Sequence, residues 1–405
     1  MMRVSSTVTV CSFVFFGIIV LFTVQSFLFR TSCDESEHVI HNGSNCQSRC
    51  ITKEEKSIPT LPTIARKRES IFFLKAHKCG SSTVQNILLR YGRENNLSFV
   101  LPSKQNYIGH PKPFSRGLIS EDLRTQDNKY NVFAHHSRYN SDEVKLAMKP
   151  DAAFVTILRD PGTLFESLYT FCRFERRYNI SFEKFKSEPA QHSHLLHSRH
   201  GSRFGRNQMC FDLGLDETLF FQDKYVNELI DDIEKDFDLV MISEYMEVSL
   251  VLLADLMGWP LEQVVYLNSN VRQEKNKNKL TGDEMEAMRA INPEDTKLYK
   301  HFLEKFKRRV EAYGVDRMKL QVDKLIRLNQ DLYQMCVEEE NTRGYAYTYS
   351  YRVKSGAPVL CYLAAKGELH FTEQLRKEQL YKLRQLRNIE RLMSKNRVTM
   401  NHVSA

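Results

Sequence analysis

The sequence predicts an α/β fold, a central parallel sheet flanked by helices, and three observations predict it. Short apolar runs of strand length alternate with helical stretches over most of the chain. Two of those runs end in loops rich in the residue types that hold anions and lead directly into a helix. The length of 405 residues is enough for two or three average domains, or for one large α/β unit with appendages.

In chain order, Ile71–Leu74 reads as a first strand, and Val84, Ile87, Leu88 and Tyr91 follow at helical spacing. Further strands are expected at Leu97–Leu101, Asn131–Ala134, Ala153–Leu158 and Leu239–Ile242, with helices over Pro161–Arg176 and Glu247–Met257. The segment Phe371–Arg397 is charged and helical in pattern. Between Lys366 and Ala405 nine Lys/Arg stand against four Asp/Glu, a net +5, which reads as a solvated basic helix.

Ahead of the folded part, no charged side chain occurs between Arg3 and Arg30, and Val8–Phe29 is dominated by Val, Ile, Leu and Phe. That is long enough to cross a bilayer, and it closes on Phe27, Leu28, Phe29 and Arg30 rather than on a small-residue cleavage site. The expected organisation is a cytosolic tail over 1–7, a signal-anchor transmembrane helix over 8–29 and a polar stem over 30–68. A folded domain over 69–350 and a basic, largely helical segment over 351–405 complete it. Acceptor triplets for N-glycosylation at Asn42, Asn96 and Asn179 fit a luminal location, as expected of a type II membrane protein of the secretory pathway.

Composition excludes several classes. With 42% hydrophobic and 27% charged residues the chain is neither disordered nor fibrous, and nine cysteines are too few for a disulfide scaffold. The net charge of +8 suits an anionic partner, and a luminal site removes nucleic acid from consideration. No CxxC pair supports zinc, and Ser, Gln, Arg and Gly around His192, His194, His197 and His200 read as a solvated loop, so no metal is expected.

Candidate chemistry begins at Lys75-Ala76-His77-Lys78-Cys79-Gly80-Ser81-Ser82-Thr83, where a buried strand meets a helix. Gly80 lets the backbone approach an anion, Ser81, Ser82 and Thr83 can donate to its oxygens, and Lys78 can neutralise charge. The bland alternative is a helix cap beside a solvated lysine. The lysine precedes the glycine and no Gly-Lys-Ser/Thr follows, which argues against an ATP- or GTP-hydrolysing loop. A second site is Arg159, at the carboxyl end of Ala153–Leu158, with Ser167 about two turns along the next helix. An arginine fork and a hydroxyl suit a second phosphate, unless Arg159 merely pairs with Asp160 or Glu166. Two separated anion loops imply a nucleotide with phosphates at two positions.

The runs His77–Leu88, Leu158–Ser167, Asn207–Gly214 and Ser243–Tyr245 with Ser249–Leu253 resemble the galactose-3-O-sulfotransferase family of Golgi sulfotransferases, over roughly Ile71–Gly314. Cys79 departs from the threonine common there. The resemblance implies a P-loop-like sulfotransferase fold and 3′-phosphoadenosine 5′-phosphosulfate as donor. It places the 5′-phosphosulfate at the Lys78 loop and the 3′-phosphate at Arg159 and Ser167. The acceptor it implies is the 3-hydroxyl of galactose on a glycolipid or glycan. Sulfuryl transfer needs a base for the acceptor proton and a cation for the leaving group. Lys78 is the expected cation; His136, after the Asn131–Ala134 strand, is the preferred base, and His77 the other candidate. A carbohydrate kinase and a non-catalytic glycan-binding protein are the competing readings.

Overall fold

A computed structural model describes residues 67–196, 205–268, 272, 277–341 and 348–403. The tail, the apolar stretch 8–29, nearly all of the stem and Asn42 lie outside the described residues. Among those described, no helix is long and apolar enough to cross a membrane.

Four strands form a parallel sheet: β1 (Ile71–Leu74), β2 (Val132–Phe133), β3 (Ala153–Leu158) and β4 (Leu239–Ile242), in the order β2-β1-β3-β4. Ile71 pairs with Val132 on one side and Ala153 on the other, and Leu158 pairs with Ile242. Both faces of β1 and β3 are buried, which is why they read as continuous apolar runs instead of alternating ones. Phe72 anchors an aromatic cluster, with its ring 5.2 Å from Phe133 and 5.3 Å from Phe154. All four carboxyl ends point one way, and the strand order reverses between β1 and β3, the place where ligands of open α/β sheets bind.

The helices used below are α1 (Ser81–Glu94), α2 (Pro161–Phe171), α3 (Gln208–Asp212), α4 (Met246–Met257), α5 (Pro293–Tyr313), α6 (Val315–Cys336), α7 (Val359–Ala364) and α8 (Glu368–Val403). An antiparallel hairpin, β5 (Val337–Asn341) with β6 (Ser350–Val353), follows α6. A disulfide joins Cys336 to Cys361, while Cys79, Cys172 and Cys210 are free thiols.

Three expectations change. Leu97–Leu101 is not a strand: Phe99 makes a single parallel bridge to Val132, and its own N–H and C=O are taken by the Gln379 side chain at 2.8 and 2.9 Å. A polar side chain thus covers the sheet edge where a ladder would have continued. The helix from Pro161 ends at Phe171, because Arg173 turns left-handed at φ +52°. The C-terminal helix is not simply solvated, since Phe371, Thr372, Leu375, Arg376 and Gln379 are buried against the sheet domain. Asn96 and Asn179, by contrast, are exposed.

Candidate active site

The loop after β1 sorts its side chains by a pair of left-handed residues, Lys78 at φ +59° and Gly80 at φ +72°. Gly80 is required there: that φ strains any L side chain, and a Cβ would lie 2.8 Å from Met246 Cε and 3.3 Å from Ser243 Oγ. Ser81 closes the loop by donating to the Ala76 carbonyl at 2.7 Å. α1 has no side-chain cap at its start and no acidic residue in its first turn, which leaves a positive helix end open to an anion. Ser82 is half-buried and Thr83 buried beside it.

Lys78 lays its Nζ 3.6 Å over the Phe171 ring. Burial, together with the Arg159 charge, pushes it down to about 8. Arg159 donates Nη1 to the Lys78 carbonyl and Nε to Thr163 Oγ1, both at 3.0 Å. The pairing alternative for Arg159 does not occur. Asp160 is held by Arg289, and Glu166 by Arg272 and Asn278. Among the described residues neither Lys78 nor Arg159 has a carboxylate partner. Ser167 is buried on α2, one turn past Thr163 and on the same helix face.

One residue earlier the chemistry is different. His77 Nδ1 donates to Asp212, 2.8 Å from Oδ2, and the His77 N–H donates to the same oxygen at 2.9 Å. Gln208 and His110 also face this carboxylate. Burial raises Asp212, but the His77 charge and hydrogen bonds from His110 and His77 outweigh it and hold the group well below the usual carboxylate range. Burial lowers His77 from 6.5, with Asp212 opposing. With its Nδ1 proton on Asp212, His77 presents Nε2 as an acceptor, and Tyr107 Oη lies 3.1 Å from it.

Asp212 reaches the loop because α3 is seated by α5: Asp295 accepts from the Met209 and Cys210 N–H groups at 3.1 and 2.8 Å. Burial is the main reason Asp295 rises to about 7. The atoms of His77, His110 and Asp212 lie within 4.8 Å of one another, near enough for a metal. The two Asp212 oxygens already accept from His77 and Gln208, the geometry of a histidine–carboxylate pair.

His136 gives its Nδ1 proton to the Lys75 carbonyl at 2.9 Å and receives Lys75 Nζ at Nε2, 3.2 Å away. Its ring stacks on His77 with centroids 4.3 Å apart, and burial first, then Lys75, drives its pKa far down. His135 points elsewhere, to Thr372. In the histidine-rich loop, His192 is buried near Phe185 and His194 is exposed. His197 and His200 lie outside the described residues.

The loop and both histidines are legible in the sequence, whereas Asp212, Lys75, Tyr107 and Glu368 carry no signal of a role there. Asp212 stands in the quoted run Asn207–Gly214 as a lone acid in an apolar block; only its partner 135 residues away gives it meaning.

The galactose-3-O-sulfotransferase family profile matches residues 18–354. The chain is 35% identical over 291 residues to the galactosylceramide sulfotransferase of Bos taurus, covering 69% of this chain and 68% of that one. It is 36% identical over 275 residues to the Homo sapiens protein of the same name, covering 67% and 64%. To galactose-3-O-sulfotransferase 3 of Mus musculus it is 34% identical over 284 residues, covering 68% and 64%. With a profile match over most of its length, and with the resembling runs folded around one loop, the chain belongs to the galactose-3-O-sulfotransferase family.

Proposed function

We propose that this chain moves a sulfuryl group from 3′-phosphoadenosine 5′-phosphosulfate to the 3-hydroxyl of a galactose on a glycolipid or glycan. The observation that carries the reading is the adjacency, within one loop, of two cations lacking carboxylate partners and a histidine–aspartate pair. The chain fits such a donor: Gly80 leaves a cradle that a Cβ would fill, and an uncapped helix start faces it. When bound, the donor supplies the sulfuryl group and a bisphosphate leaving group.

Lys78 and the first turn of α1 take the phosphosulfate end, with Ser82 and Thr83 as hydroxyl donors. Arg159 and Ser167 take the 3′-phosphate. Lys78 offsets the charge that develops on the leaving oxygen, the task of a metal in phosphoryl transfer. His77, rather than the sequence-preferred His136, accepts the acceptor's hydroxyl proton at Nε2, and Asp212 orients the ring and stabilises the imidazolium. Tyr107 Oη marks where that hydroxyl arrives. His136 holds the His77 ring in place. These roles require no metal.

The same reading puts the domain in the lumen of the Golgi, behind the apolar span 8–29. The Cys336–Cys361 disulfide and the exposed Asn96 and Asn179 support it. The test is full-length protein with radiolabelled donor and a panel of galactose-terminated glycolipids and glycans, with Lys78→Ala alongside. Label on the galactose 3-position is expected for wild type, with at least a ~10²-fold loss in the variant. Failure of wild type to bind the donor would sink the proposal.

A further inference from the structure

The family profile stops at residue 354, 14 residues before Glu368, yet the chain beyond it returns to the centre of the site. Lys75 Nζ, in a side chain 1% exposed, donates to Glu368 Oε2 at 2.7 Å while it also meets His136 Nε2. The second Glu368 oxygen accepts from Asn106 Nδ2 at 3.0 Å. Burial disfavours the Glu368 charge, but Lys75 and these hydrogen bonds outweigh it and hold the carboxyl below its usual range.

The path that brings Glu368 there is anchored at several points. The disulfide ties α7 to the end of α6, and Asn86 on α1 donates to the Leu363 carbonyl at 3.0 Å. Past Glu368, Thr372 meets His135 at 2.9 Å, and Arg376 donates to the Pro102 carbonyl at 2.8 Å. A buried lysine is costly without a counter-ion, and Glu368 is the only carboxylate paired with Lys75 among the described residues.

Taking His77 as the base, as proposed above, we infer that Glu368 is a positioning residue for the reaction. It fixes Lys75, Lys75 fixes His136 through both ring nitrogens, and the His136 ring sets the plane of His77. The C-terminal helix is therefore part of the active site and not an appendage to it.

The test uses the full chain with Glu368→Gln, Glu368→Asp, Lys75→Met and the double variant Lys75→Met/Glu368→Gln. Turnover, KM, the Kd for adenosine 3′,5′-bisphosphate and the free energy of unfolding are measured. Glu368→Gln should lower kcat by up to about tenfold, no more than loss of the His136 ring, while KM for the donor and Kd for the bisphosphate stay within twofold. Glu368→Asp should recover most of that loss, and the double variant should be no slower than Lys75→Met. Wild-type kcat in Glu368→Gln, or single effects that multiply in the double variant, would overturn the inference. So would a loss confined to KM and thermal stability, which marks a structural tie. The unfolding cycle must also show Lys75 and Glu368 coupled, and that readout needs no turnover. A wild type inactive on every galactose acceptor would therefore defeat the sulfuryl-transfer reading, while the cycle still decides the pair.

Discussion

Among the described residues neither Lys78 nor Arg159 forms an ion pair with a carboxylate; one residue away, His77, Asp212, His136, Lys75 and Glu368 are tied together by hydrogen bonds, an ion pair and stacked rings. The first region has a desolvated lysine, an arginine without an ion pair and a helix start without a side-chain cap, features that suit an anion. The second has matched its charges internally, leaving His77 Nε2 turned toward Tyr107. Left-handed backbone at Lys78 separates the two. A binding end stores unmet charge, whereas an acid–base end needs a base whose charge state and orientation are held by the protein.

Breaking the matched end at Asp212 should have the larger effect. Asp212→Asn removes the group that orients His77 and should lower kcat by roughly 10²–10⁴-fold. It also shifts the pH profile in a defined direction. In wild type, burial with Asp212 opposing places the acid limb of kcat/KM below 6.5, because His77 must be neutral to act. Without the carboxylate, burial acts unopposed and that limb moves to still lower pH. An unmoved limb would remove His77 from the role.

His136→Ala sharpens the same contrast. The variant loses a ring that supports His77 but not the proton acceptor itself, so turnover should fall about tenfold, well short of the general-base range, with bisphosphate affinity intact. A loss as large as that of Asp212→Asn would return the base to His136.

At Gly80, in the unmet end, the effect expected is on affinity rather than turnover. Gly80→Ala places a Cβ in left-handed backbone at a cost of about 1–2 kcal/mol. Titration calorimetry with adenosine 3′,5′-bisphosphate should show affinity reduced by about tenfold. Unchanged affinity would mean that this loop does not cradle the anion.

Much of this architecture is legible in the sequence, and the reason is local. β1, β3 and β4 fall on Ile71–Leu74, Ala153–Leu158 and Leu239–Ile242 as read, because strands buried on both faces are short uninterrupted apolar runs. Lys78, Gly80 and Arg159 are visible because a strand, a tight loop and a helix start are each encoded within a few neighbouring residues. Leu97–Leu101 has the same apolar character yet forms no strand: the Val100 N–H and the Ser98 carbonyl bond to Val132, and on the outer side Gln379, some 280 residues on, takes the Phe99 N–H and carbonyl in place of a further strand.

The sequence alone thus determined the parallel α/β sheet, the two strand–loop–helix junctions at Lys78 and Arg159, and the pair of candidate histidines. Tertiary structure decided which histidine has a carboxylate behind it, where Lys75 finds its counter-charge, and whether the C-terminal helix belongs to the site. Asp212 lies 135 residues from His77, and Glu368 lies 293 from Lys75. Such pairings leave no periodicity or spacing to read, because a charge is matched by what lies near it in space.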